Sequence, residues 1–184
     1  VLTDLAGNAL DTSSAIADEE VLAIVSPPTT FQTWADSNGL AAGVNDAQGD
    51  DPDSAHGGGG LNNLGEFGLG GDPLDGNDDA ALLNTYSSDV VPGGEPEGVL
   101  TILVRNAVVG GFASTGNDQV ATADGITYTV SAENTLPISS GAEVLVSATT
   151  VTAGLPAAPA GYSYVSFYIT GAEGYFQVTV EPAP

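Results

Sequence analysis

The chain has no cysteine, no methionine and one basic side chain, Arg105, set against 24 acidic residues in 184. Without cysteine there is no disulfide framework, no thiolate metal site and no thiol redox chemistry. A formal net charge of −23 gives a surface that repels nucleic acid and anionic membranes, and that repels itself unless cations screen or bind it. No apolar run approaches the roughly 20 residues of a membrane-spanning helix, so no membrane insertion is expected. Val1 is not an initiator methionine, and no basic or strongly apolar leader follows it. That is the pattern of a mature product, a processed piece or a segment of a longer polypeptide.

What is present is enough for a core. Apolar residues make up 42% of the chain and charged residues only 14%, so the acidity is spread over a surface of Asp, Ser, Thr, Asn and Gly rather than a disordered polyanion. Three regions follow from the pattern. Residues 1–27 carry two extended pieces, "VLTDLAGNAL" and "EEVLAIVSPP", the second ended by Pro27 and Pro28. Residues 28–79 read as two short helices around an acidic loop. From about residue 80 to 184 the period becomes two, with strand-like runs at 98–105, 125–132, 142–151, 162–170 and 174–182, rich in Val, Ile, Thr, Tyr and Phe. The expected fold is mainly β: an antiparallel β-sandwich with a small helix-loop-helix calcium-binding insert.

The insert carries the chemistry. "TTFQTWADSNGL" places Phe31, Trp34 and Ala35 on one helical face, with Thr29 and Gln32 at capping-box positions and Gly39 at the stop. After it come Asp46, Asp50, Asp51 and Asp53, then Ser54, Ala55, His56 and four consecutive glycines, then "LNNLGEFGL". A twelve-residue calcium loop alternates oxygen ligands, turns on a glycine at position six and ends on a bidentate glutamate at twelve. With Gly60 at six, Leu61 supplies the carbonyl at seven, Asn63 falls at nine and Glu66 at twelve. The first half fails, since Ala55, Gly57 and Gly59 stand where ligands should be. Either the loop is a metal-free relic, or Asp51 and Asp53 supply the missing oxygens, with Asp50 as a weaker candidate; Ca2+ in this region is the preferred expectation. A second acidic run, Asp75, Asn77 and Asp79, has the same alternate spacing without the closing glutamate, and reads as a solvated turn or at most a half-site. The second helix, weakened by Gly65 and Gly68, is marginal unless its first turn is anchored.

"GLNNLGEFGLGGDP", residues 60–73, and "GITYTVSAENTL", residues 125–136, resemble the carboxy-terminal module of large secreted and surface proteins of environmental bacteria, in which an aspartate-rich loop precedes a small β-domain. The acidic loop is also similar to dockerin and thrombospondin type 3 calcium repeats, and "DLAGNALD" resembles the last strand of bacterial immunoglobulin-like repeats. The resemblance implies an extracellular or cell-surface location, calcium and a non-catalytic role.

An active site is not legible. His56, the lone histidine, has Ser54 nearby but no nucleophile turn or oxyanion hole, and the glutamates are scattered over turns and strand ends. The reading is a non-enzymatic, calcium-stabilised structural module, a subunit of a surface layer or fibre. Its partners would be other copies of itself, joined through strand edges such as "VLAIV". The alternative is a carbohydrate-binding accessory domain holding polysaccharide on Tyr162, Tyr164 and Tyr168, residues that equally suit a sandwich core.

Overall fold

The computed structural model describes residues 30–53, 60–78, 80–87, 90, 94, 97–134, 141–170 and 174–184. The strands expected within 1–27, the Thr29 cap, Ser54, His56 and Asp79 lie outside the described residues.

Two antiparallel four-stranded sheets form the body. In the first, β1 (Leu82–Ser87), β2 (Glu97–Arg105), β7 (Tyr162–Ile169) and β6 (Leu145–Val146) lie in the order β1-β2-β7-β6. In the second, β3 (Ala113–Thr115), β4 (Asp118–Ala123), β5 (Ile126–Glu133) and β8 (Tyr175–Pro182) lie in chain order with β8 at one edge. Their facing side chains share one core, with Leu100, Ile102, Val104, Val165 and Phe167 from the first sheet against Ala121, Ile126, Tyr128 and Val130 from the second. Phe112 bridges them, its ring 4.9 Å from Phe167 and 6.1 Å from Tyr128. β5 shows the expected alternation, with every second residue from Ile126 to Ala132 buried, as a sheet covered on one face requires.

β2 departs from that rule, being buried on both faces from Gly98 to Val104. The chain at 147–151 explains why. It was expected to continue a strand running 142–151; instead only Leu145 and Val146 pair with β7, and Ala142 bridges Ala132. Beyond Val146 the Ser and Thr hydroxyls compete with the ladder for backbone groups. Ser147 Oγ donates to the Thr149 carbonyl, and Val151 N–H donates to Ser166 Oγ. Thr101 Oγ1 donates to the Val151 carbonyl at 2.8 Å and shares a hydrogen bond with Ser166 Oγ. The Thr101–Ser166 pair is buried, and its bonds to Val151 fasten the segment to β2 and β7.

Among the described residues two α-helices complete the fold, α1 (Thr30–Ser37) and α2 (Asn63–Leu69), with a single 3-10 turn at Asn106–Val108. Phe31 and Ala35 of α1 are buried, and the rings of Phe31, Trp34 and Phe67 lie 5.4–5.6 Å apart in a triangle that joins the helices. Gly39 takes the left-handed conformation, φ +76°, at the expected stop of α1. Both helices belong to the same core as the sheets.

Candidate functional site

α2 has seven residues, two of them glycine, and would not hold in isolation. Its surroundings hold it. Asn62 caps the start, its side chain accepting from Gly65 N–H at 3.0 Å. The acidic loop is stitched to the first turn by four bonds. Asn63 N–H donates to the Asp50 carbonyl, Leu64 N–H to that of Gln48, and Asn63 Nδ2 to those of Asn45 and Ala47, all at 2.8–3.0 Å. The anchored first turn that the sequence asks for is therefore present.

The far end is held from the sandwich. Gly70 caps it in the left-handed conformation, donating to the Glu66 carbonyl at 2.8 Å. Tyr128 Oη donates to the Gly68 carbonyl at 2.6 Å and Tyr162 Oη to the Phe67 carbonyl at 2.8 Å, so two carbonyls that a helix end leaves open find partners. Burial raises the hydroxyl pKa of both tyrosines, and Arg105 pulls that of Tyr162 partly back. Arg105 sits at this junction: its guanidinium carbon lies 4.5 Å from the Phe67 ring centre and 5.1 Å from that of Tyr162, and its Nε donates to Asp124 Oδ2 at 3.0 Å. Asp124 is presented by the β4–β5 hairpin turn Asp124–Gly125, both with positive φ, as a two-residue type I′ connection needs. The chain's one cation thus clamps α2 to the sheets.

Three polar residues of the candidate site are deeply buried: Asp53 (2% exposed), Asn63 (0%) and Glu66 (1%). Asp51 is half-buried. Because Asn63 Nδ2 donates to two carbonyls, the amide orientation is fixed and Oδ1 is an acceptor. Among the described residues no donor reaches that Oδ1. Glu66 turns its carboxylate toward the loop after α2: a Cβ built on Gly71 would collide with Glu66 Oε2 and lie 2.6 Å from the Asp78 carbonyl oxygen. Only a glycine leaves these two acceptor oxygens room to lie side by side. Among the described residues no three acidic or imidazole side chains are close enough to hold a metal ion by themselves. An ion bound here would draw on the Asn63 amide and backbone carbonyls as well as carboxylates.

The weaker candidates have local roles. Asp50 Oδ2 accepts from Ala47 N–H at 2.9 Å and closes its own turn. Asp75 Oδ1 accepts from both the side-chain and backbone nitrogens of Asn77, which lowers its pKa, and Asp75, Asn77 and Asp78 are exposed. Asp75 and Asn77 thus form an exposed, locally bonded turn. Leu61 borders an apolar cleft. Tyr162, Tyr164 and Tyr168 share a face of β7 by their spacing, but the Tyr162 ring is covered and its hydroxyl engaged. Tyr164 faces a hollow of about 230 Å³ beside Pro156 and Pro159 with its hydroxyl buried. The three do not offer one open stacking surface.

No family model matches the chain, and neither the curated proteins nor the solved structures yield a match.

Proposed function

We propose that the protein is a non-catalytic, extracellular structural module whose acidic loop is completed by Ca2+, and whose copies associate through open strand edges. The observation that carries the calcium is Asn63 Oδ1, a fully buried acceptor on the same helix as the buried Glu66 and stitched to the loop that delivers Asp51 and Asp53. Buried carboxylates and orphan amide oxygens are costly in a dry interior, and a hard cation with oxygen ligands offsets that cost. The ligands would be Asn63 with at most two of Asp51, Asp53 and Glu66, completed by loop carbonyls, the carbonyl of Leu61 being a further candidate. Calcium's tolerance of irregular oxygen geometry suits such a set, and sites of modest affinity fill at the calcium levels found outside cells. The resemblance of residues 60–73 to aspartate-rich calcium loops points the same way.

Thermal unfolding with calcium and with chelator tests this. At a hundredfold excess over its Kd, calcium contributes about 2.7 kcal/mol, a Tm rise of roughly 5–10 °C for a chain of this size. The rise should vanish in Glu66→Gln. A parent Tm that ignores chelator overturns the proposal.

A further inference from the structure

We infer that the apolar cleft between β1, α2 and β8 receives residues 21–25 of a second copy of this chain as an added strand; this rests on the assembly reading above and names its contact. The cleft, about 410 Å³, is lined by Leu61, Leu69, Leu82, Leu100, Phe176 and Val178 among others. It opens where the two sheets fail to close. β1 ends the first sheet and β8 the second, and among the described residues neither outer edge pairs with another strand. Leu82 is 61% exposed, and no residue of β8 is fully buried, although Phe176, Val178 and Val180 pack against the core. The seam therefore exposes both apolar surface and a row of backbone donors and acceptors, which an extended segment satisfies together.

The segment "VLAIV" is the wholly apolar five-residue run in the stretch before α1. As a strand it presents Leu22 and Ile24 on one face and Val21, Ala23 and Val25 on the other, side chains of the size and chemistry of the cleft lining. Its route favours a neighbour. Phe67, which meets α1, and Leu69, which lines the cleft, stand about 200° apart around α2. α1 therefore begins across that helix from the cleft. Between Val25 and Thr30 lie only Ser26, Pro27, Pro28 and Thr29, a short link to the start of α1. A chain filling its own cleft would have to cross α2 within that stretch. A neighbour's segment has no such constraint, and because each chain both gives and receives a strand, the contact repeats head to tail.

The full chain in calcium tests this by light scattering and electron microscopy. Ile24→Asp and Leu82→Asp should each lose the assembled material while keeping the circular dichroism of the parent, Leu82 being too exposed to endanger the fold. In this cysteine-free chain, mixing Ile24→Cys with Asn84→Cys should give a disulfide between the two kinds of chain, identified by mass spectrometry. If both aspartate variants assemble like the parent, or a variant carrying both Ile24→Cys and Asn84→Cys closes its disulfide within a single chain, the strand assignment is overturned and the assembly reading stands. If the parent itself stays monomeric in calcium, both fall.

Discussion

Two tyrosine hydroxyls end the helix that Asn63 begins, and both must stay protonated to do so. Tyr128 Oη also accepts from Arg105 N–H at 3.1 Å, so that one oxygen ties α2, β2 and β5 together. Burial raises both hydroxyls above the usual tyrosine pKa, while in the unfolded chain they titrate near pH 10. Above that pH the unfolded state loses protons that the native state keeps, so their stabilisation is complete below about pH 10 and declines as pH climbs toward the raised native values. Unfolding midpoints measured by circular dichroism from pH 7 upward should fall above about pH 10, and Tyr162→Phe should flatten that decline. Tyr128→Phe, which strands the Gly68 carbonyl and the Arg105 amide, should lose about 1–3 kcal/mol at neutral pH. A decline of equal slope in Tyr162→Phe would count against the helix-end role.

At the scale of elements, α2 depends on the absence of side chains. A Cβ on Gly68 would meet Val180 Cγ1 at 2.7 Å and Cγ2 at 3.1 Å, so Gly68 sets how closely the helix lies on β8. Helix propensity alone makes Gly68→Ala stabilising by about 1 kcal/mol. Overpacking against β8 costs about 1–3 kcal/mol and should win, giving a lower chemical-denaturation midpoint; a raised midpoint would show that the helix can shift without penalty. The sequence pattern displays Gly68 as a weak point, whereas in the fold it is a contact. Other elements divide along similar lines. α1, α2, β2, β5, β7 and β8 are legible because apolar periodicity and turn residues agree over their lengths. β1, β3 and β4 are not, because "LLNTYS", "AST" and "DQVATA" lack a dense β-branched face and draw their register from neighbouring strands. The Asp124–Gly125 turn announces the β4–β5 hairpin, but Val120 is the one apolar residue larger than alanine in the strand before it. For the site, calcium-loop spacing singles out Asn63 and Glu66, while the Asn63 bonds to Asn45 and Ala47 span 18 and 16 residues, a separation at which local pattern carries no signal. Arg105 escapes the same reading, since its partners Phe67, Asp124 and Tyr162 come from three distant parts of the chain.

The whole molecule is a polyanion folded around one cation. With a formal net charge of −23, self-repulsion opposes the compact state, and simple salt should relieve it as the Debye length shrinks from about 30 Å at 0.01 M to 3 Å at 1 M. In chelator, Tm should therefore rise with sodium chloride, smoothly and alike in the parent and in Glu66→Gln. The calcium increment should instead saturate and distinguish the two. A salt response confined to the parent would mean that sodium occupies the calcium loop and that general screening is minor.

Arg105 has one more consequence, in proteolysis. Trypsin cuts after lysine or arginine, so this sequence offers it a single bond, Arg105–Asn106. In the fold that bond closes the central strand β2: Arg105 pairs with Tyr162, its side chain is 16% exposed, and Asn106 N–H donates to the Gly161 carbonyl. Cleavage requires this junction to open, and opening it releases the clamp between helix and sheets. The appearance of two fragments, 1–105 and 106–184, thus times the loosening of the whole molecule, with no other cut to confuse the count.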